Sequence, residues 1–212
     1  MLLLLAVSSA HAADRAQVTA ALRETLQLSV ERALASLGRP NGFLQNPAVR
    51  LGVPEPLAKV EAALRTAGEE RQTERFVESL NRVAEQAAPS ARPSLLAAAT
   101  DLAVDERALA AGDTAATEIL RRAAIGRVIT ALNPVVRDAM ERQKVARRYK
   151  RFVKDYPMGG LVQGPPVDLD AYVVGRTVDG LFVTIAQEER RIRTDANARP
   201  TPLLREVFGA QR

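Results

Sequence analysis

Residues 14–37 read DRAQVTAALRETLQLSVERALASL, and this stretch decides the fold class of the chain. Its apolar and small residues recur at intervals of three and four, which is the period of one helical face. These positions are Val18, Leu22, Leu26, Ser29, Val30, Ala33, Leu34 and Leu37. Gly38 follows, and glycine at that place is typical of a helix end. We therefore predict a helix from Asp14 to Leu37.

The same period continues along the rest of the chain, and no stretch alternates apolar and polar residues for long. We therefore predict an all-α fold, a single multi-helix domain over residues 13–212 with two Gly/Pro-rich irregular loops. The loops are predicted at Gly38–Pro56 and Pro157–Pro166. Another helix is predicted to begin at Pro134 and to continue through an apolar stripe at Val145–Tyr156. The remaining helices are predicted at Glu55–Gly68, Glu69–Ala88, Ala91–Leu102, Val104–Ala111, Asp113–Leu132, Asp168–Arg193 and Pro202–Phe208.

Three of the predicted helix starts carry a residue with a capping side chain. Asp113 and Asp168 have carboxylates that accept the free amides of a first helical turn. At Asn133-Pro134 we expect the preceding helix to break, with Asn133 as cap and Pro134 in the first turn of the next helix.

The first twelve residues have the pattern of a signal peptide. Leu2–Val7 is an apolar run, and Ala10-x-Ala12 is the small-residue pattern that precedes a cleavage site. We expect cleavage after Ala12 and a periplasmic mature protein without a transmembrane segment, since no apolar run reaches the length of about 20 residues that a span needs.

Composition excludes several chemistries. The 212 residues include no Cys and one His, with 30 Lys plus Arg against 25 Asp plus Glu, a net charge of +5. Cleavage after Ala12 would remove His11, so Ser-His-Asp catalysis, Cys nucleophiles and thiolate or imidazole metal sites are excluded. No phosphate-binding or dinucleotide-binding glycine motif occurs. We therefore expect no catalytic residues, no metal and no cofactor, and a non-enzymatic protein is favoured.

Two sets of residues are candidates for binding. Asn81, Arg82 and Glu85 lie within little more than one helical turn, and Arg39 and Arg50 in the first loop could join them. This group either holds an anionic or hydroxyl group of a ligand or ties its helix to a neighbour by an ion pair. The second set comes from the basic stretch at residues 137–155. It either contacts an anionic surface or forms a solvated helical face. Its members are Arg147, Arg148, Lys150, Arg151 and Lys154.

With His and Cys chemistry excluded, carboxylates are the only numerous side chains of this protein that could act as general acids and bases. A pair of them across two helices would suffice for glycoside hydrolysis. The candidates are Glu85, Asp113, Asp179, Glu188 and Glu189.

Several strings of the sequence together resemble a family of exported bacterial proteins known only as domain of unknown function number forty-one ninety-seven. The resemblance covers nearly the whole mature chain, implies an all-helical envelope protein and implies no activity. The strings are VERA at 30–33, SLGRPNGFL at 36–44, PAVR at 47–50, PEPLAKVE at 54–61, NRVAE at 81–85, GDTAAT at 112–117, DLDAYV at 168–173, DGLF at 179–182 and LLREVFG at 203–209.

The sequence favours a protein that binds a lipid-like or anionic amphipathic ligand. The ligand would lie between helices, with Arg residues at its anionic head. The expected partner is a lipid or another envelope anion and not nucleic acid, and the sequence does not set the oligomeric state. Two alternatives stay open: a structural or partner-binding envelope protein, and a carboxylate-based hydrolase of envelope glycan.

Overall fold

The computed structural model describes residues 3–103, 111–154 and 167–209. Side chains are described for residues 15–103, 111–153 and 167–209. Within these ranges the regular elements are helices and there is no strand, which confirms the all-α prediction. The α-helices are α1 (Leu3–Leu37), α2 (Ala58–Thr66), α3 (Glu70–Ala87), α4 (Arg92–Asp101), α5 (Ala115–Arg142), α6 (Val145–Lys154), α7 (Leu169–Thr194) and α8 (Pro202–Gly209). The predicted helix Val104–Ala111 lies outside the described residues except for Ala111, and the predicted loop Pro157–Pro166 lies wholly outside them.

Helix α1 ends at Leu37 as predicted, but it begins at Leu3 and not at Asp14. Leucine and alanine are strong helix formers, and no glycine or proline interrupts the chain before Gly38. The helix therefore continues back through the apolar run. A helical apolar run is compatible with a signal peptide, so cleavage after Ala12 stays a prediction.

The predicted break at Asn133-Pro134 is wrong, because α5 runs through Pro134 without interruption. A proline inside a helix removes one backbone hydrogen bond and costs about 3 kcal/mol. The buried positions of α5 keep a spacing of four residues across this point, so burial of the face offsets the loss. These positions are Ala116, Leu120, Ala124, Val128, Leu132 and Val136.

The two predicted aspartate caps have different outcomes. Asp168 caps α7 as predicted, since its Oδ1 accepts the amide of Ala171 at 2.9 Å. Asp113 is exposed, and the first amides of α5 bond instead to Glu189: Ala116 N–H donates to Oε1 at 3.2 Å and Thr117 N–H to Oε2 at 2.7 Å. A carboxylate from a distant part of the sequence has taken the place of the local cap.

The contacts of the chain divide it into two compact units. The first comprises residues 1–33, 92–126 and 182–212. Its core is apolar, and each fully buried large side chain contributes about 1.5–3 kcal/mol. Buried core residues of this unit include Leu22, Leu26, Val30, Leu95, Leu120, Ile185, Ile192 and Leu204.

The second unit comprises residues 34–91 and 127–181. Helix α3 is its centre and packs against α2 and α6. Between α3 and α6, Phe76 stacks on Phe152 with ring centroids 5.0 Å apart, and Tyr149 lies 6.0 Å from Phe76. This aromatic contact fixes which faces of the two helices are buried, and so leaves their basic residues exposed.

Candidate functional site

The first loop, residues 38–56, is held against α3 by one amide side chain. Asn81 is fully buried, and its Oδ1 accepts the amide of Leu51 at 2.9 Å. Its Nδ2 donates to the carbonyl of Leu51 at 2.9 Å and to that of Val77 at 2.8 Å. One side chain thus satisfies both backbone groups of a buried loop residue, as a strand neighbour would.

One turn further along α3, Glu85 anchors the beginning of the same loop. Its side chain is 4% exposed, and Oε1 accepts the amides of Phe43 at 3.2 Å and Leu44 at 3.1 Å. Arg82 Nη1 donates to Oε2 of Glu85 at 2.9 Å, and its Nη2 donates to Oδ1 of Asn41 at 2.9 Å. We call Asn81, Arg82 and Glu85 the loop anchor.

Glycine is required at two places under this loop. A Cβ on Gly42 would lie 2.4 Å from the carbonyl oxygen of Ser36, and one on Gly180 would lie 2.6 Å from the ring of Phe43. Tyr172 of α7 donates to the carbonyl of Gly52 at 3.0 Å, and burial raises the pKa of its phenol. The loop is therefore packed and hydrogen-bonded at several points along its length.

Arg39 and Arg50 do not join the loop anchor: both are exposed, and neither bonds to Asn81, Arg82 or Glu85. Arg50 lines a separate cavity of about 220 Å³ that carries both signs of charge, with Arg65 and the carboxylates Glu61, Glu70 and Glu74. Ligand binding by Arg39, Arg50, Asn81, Arg82 and Glu85 stays a prediction, and the geometry gives the loop anchor a structural use.

A larger groove of about 680 Å³ lies between α3 and α6. Its lining is almost entirely cationic, with one carboxylate and one amide. The lining residues are Glu69, Arg71, Gln72, Arg75, Lys144, Arg147, Arg148 and Arg151. We call this feature the cationic groove.

The cations of the groove differ in how they are held. Arg148 is half-buried and fixed by backbone, since its Nε donates to the carbonyl of Gln143 and its Nη1 to that of Arg75, both at 3.3 Å. The other five are exposed, and within residues 15–103, 111–153 and 167–209 no side-chain hydrogen bond or ion pair holds them. These are Arg71, Arg75, Lys144, Arg147 and Arg151.

Lys144 has a backbone conformation that is unusual for lysine. Its φ is 53°, in the left-handed region that disfavours a Cβ. It joins α5 to α6, and its carbonyl accepts the amide of Arg148 at 3.1 Å. The chain therefore keeps a strained residue where glycine would fit, and this residue carries one of the groove's charges.

The groove contains part of the basic stretch identified from the sequence, together with residues that the sequence analysis missed. Arg147, Arg148 and Arg151 line it, Lys150 is exposed elsewhere on α6, and the side chain of Lys154 lies outside the described residues. Arg71 and Arg75 were missed. Their spacing of four residues places them on one face of α3, which was a usable signal, but nothing local indicates that α6 lies opposite.

A scan of family models matches residues 12–209 to a family described as a protein of unknown function, DUF4197. The match covers nearly the whole chain.

The chain belongs to the DUF4197 family.

The DUF4197 assignment confirms the resemblance and implies no activity. No curated protein and no solved structure matches the chain. The loop anchor lies in one of the strings that carry the resemblance, residues 81–85, whereas the lining residues of the cationic groove lie outside all of them.

Two buried carboxylates of this DUF4197 chain bond to arginines and amides. Glu85 bonds as described above. Glu189 is fully buried, pairs with Arg193 at 2.9 Å and accepts the hydroxyl of Thr117 at 2.6 Å. Glu188 pairs with Arg32 at 3.4 Å. These are the contacts of structural ion pairs, and they give the glycan-hydrolase alternative no support.

Two kinds of feature are absent from the described part of the chain. No group of three or more His, Cys, Asp or Glu side chains there is placed to hold a metal ion. No described helix is both long and apolar enough to cross a membrane.

Proposed function

We propose that this chain is an exported, non-enzymatic binding protein that holds the anionic part of a lipid-like or amphipathic ligand in the cationic groove. One observation carries the proposal: six cations and one carboxylate line a volume of about 680 Å³. This volume is within the range of about 300–1,000 Å³ that is common for ligand pockets.

The charge of the groove is unbalanced in a way that favours an anionic occupant. Like charges gathered in a cleft repel each other, which raises the free energy of the unoccupied protein. An anion that binds there relieves the repulsion, and arginine adds a bidentate fork that suits phosphate or carboxylate oxygens. Two arginines with structural roles are paired with a carboxylate, Arg193 with Glu189 and Arg82 with Glu85.

Export is part of the proposal and rests on the first twelve residues alone. It predicts that the protein recovered from the periplasm of a Gram-negative host begins at Ala13, which mass measurement of the purified chain would check. A chain found in the cytoplasm with Met1 or Leu2 at its N-terminus would contradict it.

Native mass spectrometry of the protein purified from its periplasm tests the binding function. We expect an additional mass that is lost on denaturation, and an increase in melting temperature when the anion is added back. A variant with Arg75, Arg147 and Arg151 changed to Gln should carry much less of that mass. A clean unliganded mass, with no thermal shift from any lipid or anion, would contradict the proposal and favour a structural or partner-binding protein.

A further inference from the structure

The cationic groove contains more charge, over a greater length, than a single phosphate can use. Its lining has six cations and the carboxylate of Glu69, a balance of +5. A phosphate monoester carries about −1.5 to −2 at neutral pH, whereas two joined phosphoryl groups carry roughly twice that. A monophosphate would leave most of the positive charge unneutralised within the groove.

The cations form two rows that extend along the helices. Arg71 and Arg75 are separated by four residues on α3, which is about 6 Å along the helix axis. On the opposite side, Lys144 and Arg151 are separated by seven residues, or roughly 10 Å if the helical rise is applied to the whole segment. A compact anion could engage only one level of these rows, so an elongated one fits better.

The shape of the site and its surroundings disfavour a flat membrane surface as the occupant. The cations line a concavity, whereas Lys150 of α6 is exposed and does not line it. Among the described side chains, the large apolar ones that are exposed are Ile129 and Val183, and neither lies on α3 or α6. Within the described part of the chain, α3 and α6 therefore expose no large apolar side chain beside the groove that could enter a bilayer, as interfacial binding requires.

We infer that the cationic groove binds a diphosphate or longer chain of phosphoryl groups, laid between the arginine row of α3 and the basic row of α6. The inference rests on the proposed function and narrows it to one ligand chemistry. Arg148 is the positioned cation, since two backbone carbonyls hold it, and the exposed cations on either side close on the phosphoryl oxygens.

The test is a titration of the purified chain, in buffer without divalent cations at 0.15 M salt, with orthophosphate, pyrophosphate, tripolyphosphate and citrate. Each added charge-assisted contact contributes about 1.5–3 kcal/mol, so pyrophosphate should bind about 10- to 100-fold more tightly than orthophosphate. Citrate has a similar charge without phosphoryl geometry, and it should bind more weakly than pyrophosphate.

Two variants show whether binding occurs in the groove. Arg75→Gln, Arg147→Gln and Arg151→Gln together should weaken pyrophosphate binding at least about tenfold. Lys150→Gln lies on the same helix outside the groove and should change binding by less than about twofold. Unchanged circular dichroism and melting temperature would show that both variants are folded.

The outcomes separate the inference from the proposed function. If orthophosphate or citrate binds as tightly as pyrophosphate and the triple variant loses both, the groove binds anions but the diphosphate inference is wrong. If no anion binds, or if Lys150→Gln weakens binding as much as the triple variant, both are wrong. Farnesyl diphosphate then shows which kind of diphosphate the groove binds. Tighter binding than pyrophosphate indicates a lipid diphosphate, whereas equal binding indicates a soluble one and contradicts the lipid-like ligand of the proposed function.

Discussion

Helix α3 carries two arginine-containing regions that are built in opposite ways. In the loop anchor, Arg82 bonds to Asn41 and Glu85, and the neighbouring Asn81 is fully buried. In the cationic groove, Arg71 and Arg75 are exposed and no described side chain pairs with them. Their residue type is the same and only two helical turns separate them. What differs is whether a loop covers the helix, because a covered charge needs a partner and an uncovered one keeps its water.

The comparison predicts that stability depends on the loop anchor and ligand binding on the groove. The sharpest test is Asn81→Ala, which would leave the buried N–H and C=O of Leu51 without partners. We expect a loss of about 2–4 kcal/mol in the free energy of unfolding, measured by urea denaturation. Gln86→Ala, an exposed amide on the same helix, is the matched control and should change stability by less than about 0.5 kcal/mol. Equal effects would show that the loop is not held by Asn81.

A second substitution separates charge from hydrogen bonding in the loop anchor. Glu85→Gln keeps an oxygen for the amides of Phe43 and Leu44 but turns an uncharged amide group toward Arg82. We expect a loss of about 1–2 kcal/mol in the free energy of unfolding. Glu78→Gln is the control, because Glu78 also pairs with Arg82 but is 48% exposed, and it should have almost no effect. An unchanged stability for Glu85→Gln would mean that the charge contributes nothing.

A substitution at Lys144 should stabilise the fold and weaken ligand binding, because this residue lines the groove with a strained φ of 53°. Lys144→Gly should raise the free energy of unfolding by about 0.5–1 kcal/mol, because glycine adopts this conformation without strain. Lys150→Gly, inside α6 in ordinary helical conformation, should lower it by about 1 kcal/mol. The stabilised Lys144→Gly variant should also bind pyrophosphate more weakly. A lower free energy of unfolding for Lys144→Gly would show that the lysine side chain supports the fold.

The smallest effect on stability is expected in the groove itself. Changing Arg75, Arg147 and Arg151 to Gln should alter the free energy of unfolding by no more than about 0.5 kcal/mol. At low salt the change should be a gain, because repulsion is relieved, and it should vanish at 1 M salt where charges are screened within about 3 Å. Thermal melts at two salt concentrations would measure this. A clear loss of stability at both would place these arginines among the structural ones.

Most helices could be predicted from the sequence because their signals are local. Leu37 before Gly38 ended α1 as expected, and Asp168 capped α7. The errors came where distant contacts outweighed a local signal. Pro134 lies within α5 because the buried face continues past it, and Glu189 replaces Asp113 as the cap of α5 because a buried carboxylate needs those amides.

The candidate site was predictable only in part, for a similar reason. The charges at Arg147, Arg148 and Arg151 stand out in the sequence, and so does the group Asn81, Arg82 and Glu85. Which group would be covered by a loop and which would line a groove depends on packing between segments far apart in the chain. From the sequence, Arg39 and Arg50 could join Asn81, since no local pattern indicates that the loop's own backbone already occupies that place.

The sequence by itself determined the helical class, most helix ends, the absence of cysteine chemistry and the excess of positive charge. These follow from residue type and from a period of three to four residues, which act over one or two helical turns. Only the tertiary structure decided that Arg71 and Arg75 face the basic residues of α6. It also decided that Asn81 bonds to both backbone groups of Leu51 in the loop and to the carbonyl of Val77 in its own helix. Both depend on which surfaces the apolar cores bring together, and no local pattern records that choice.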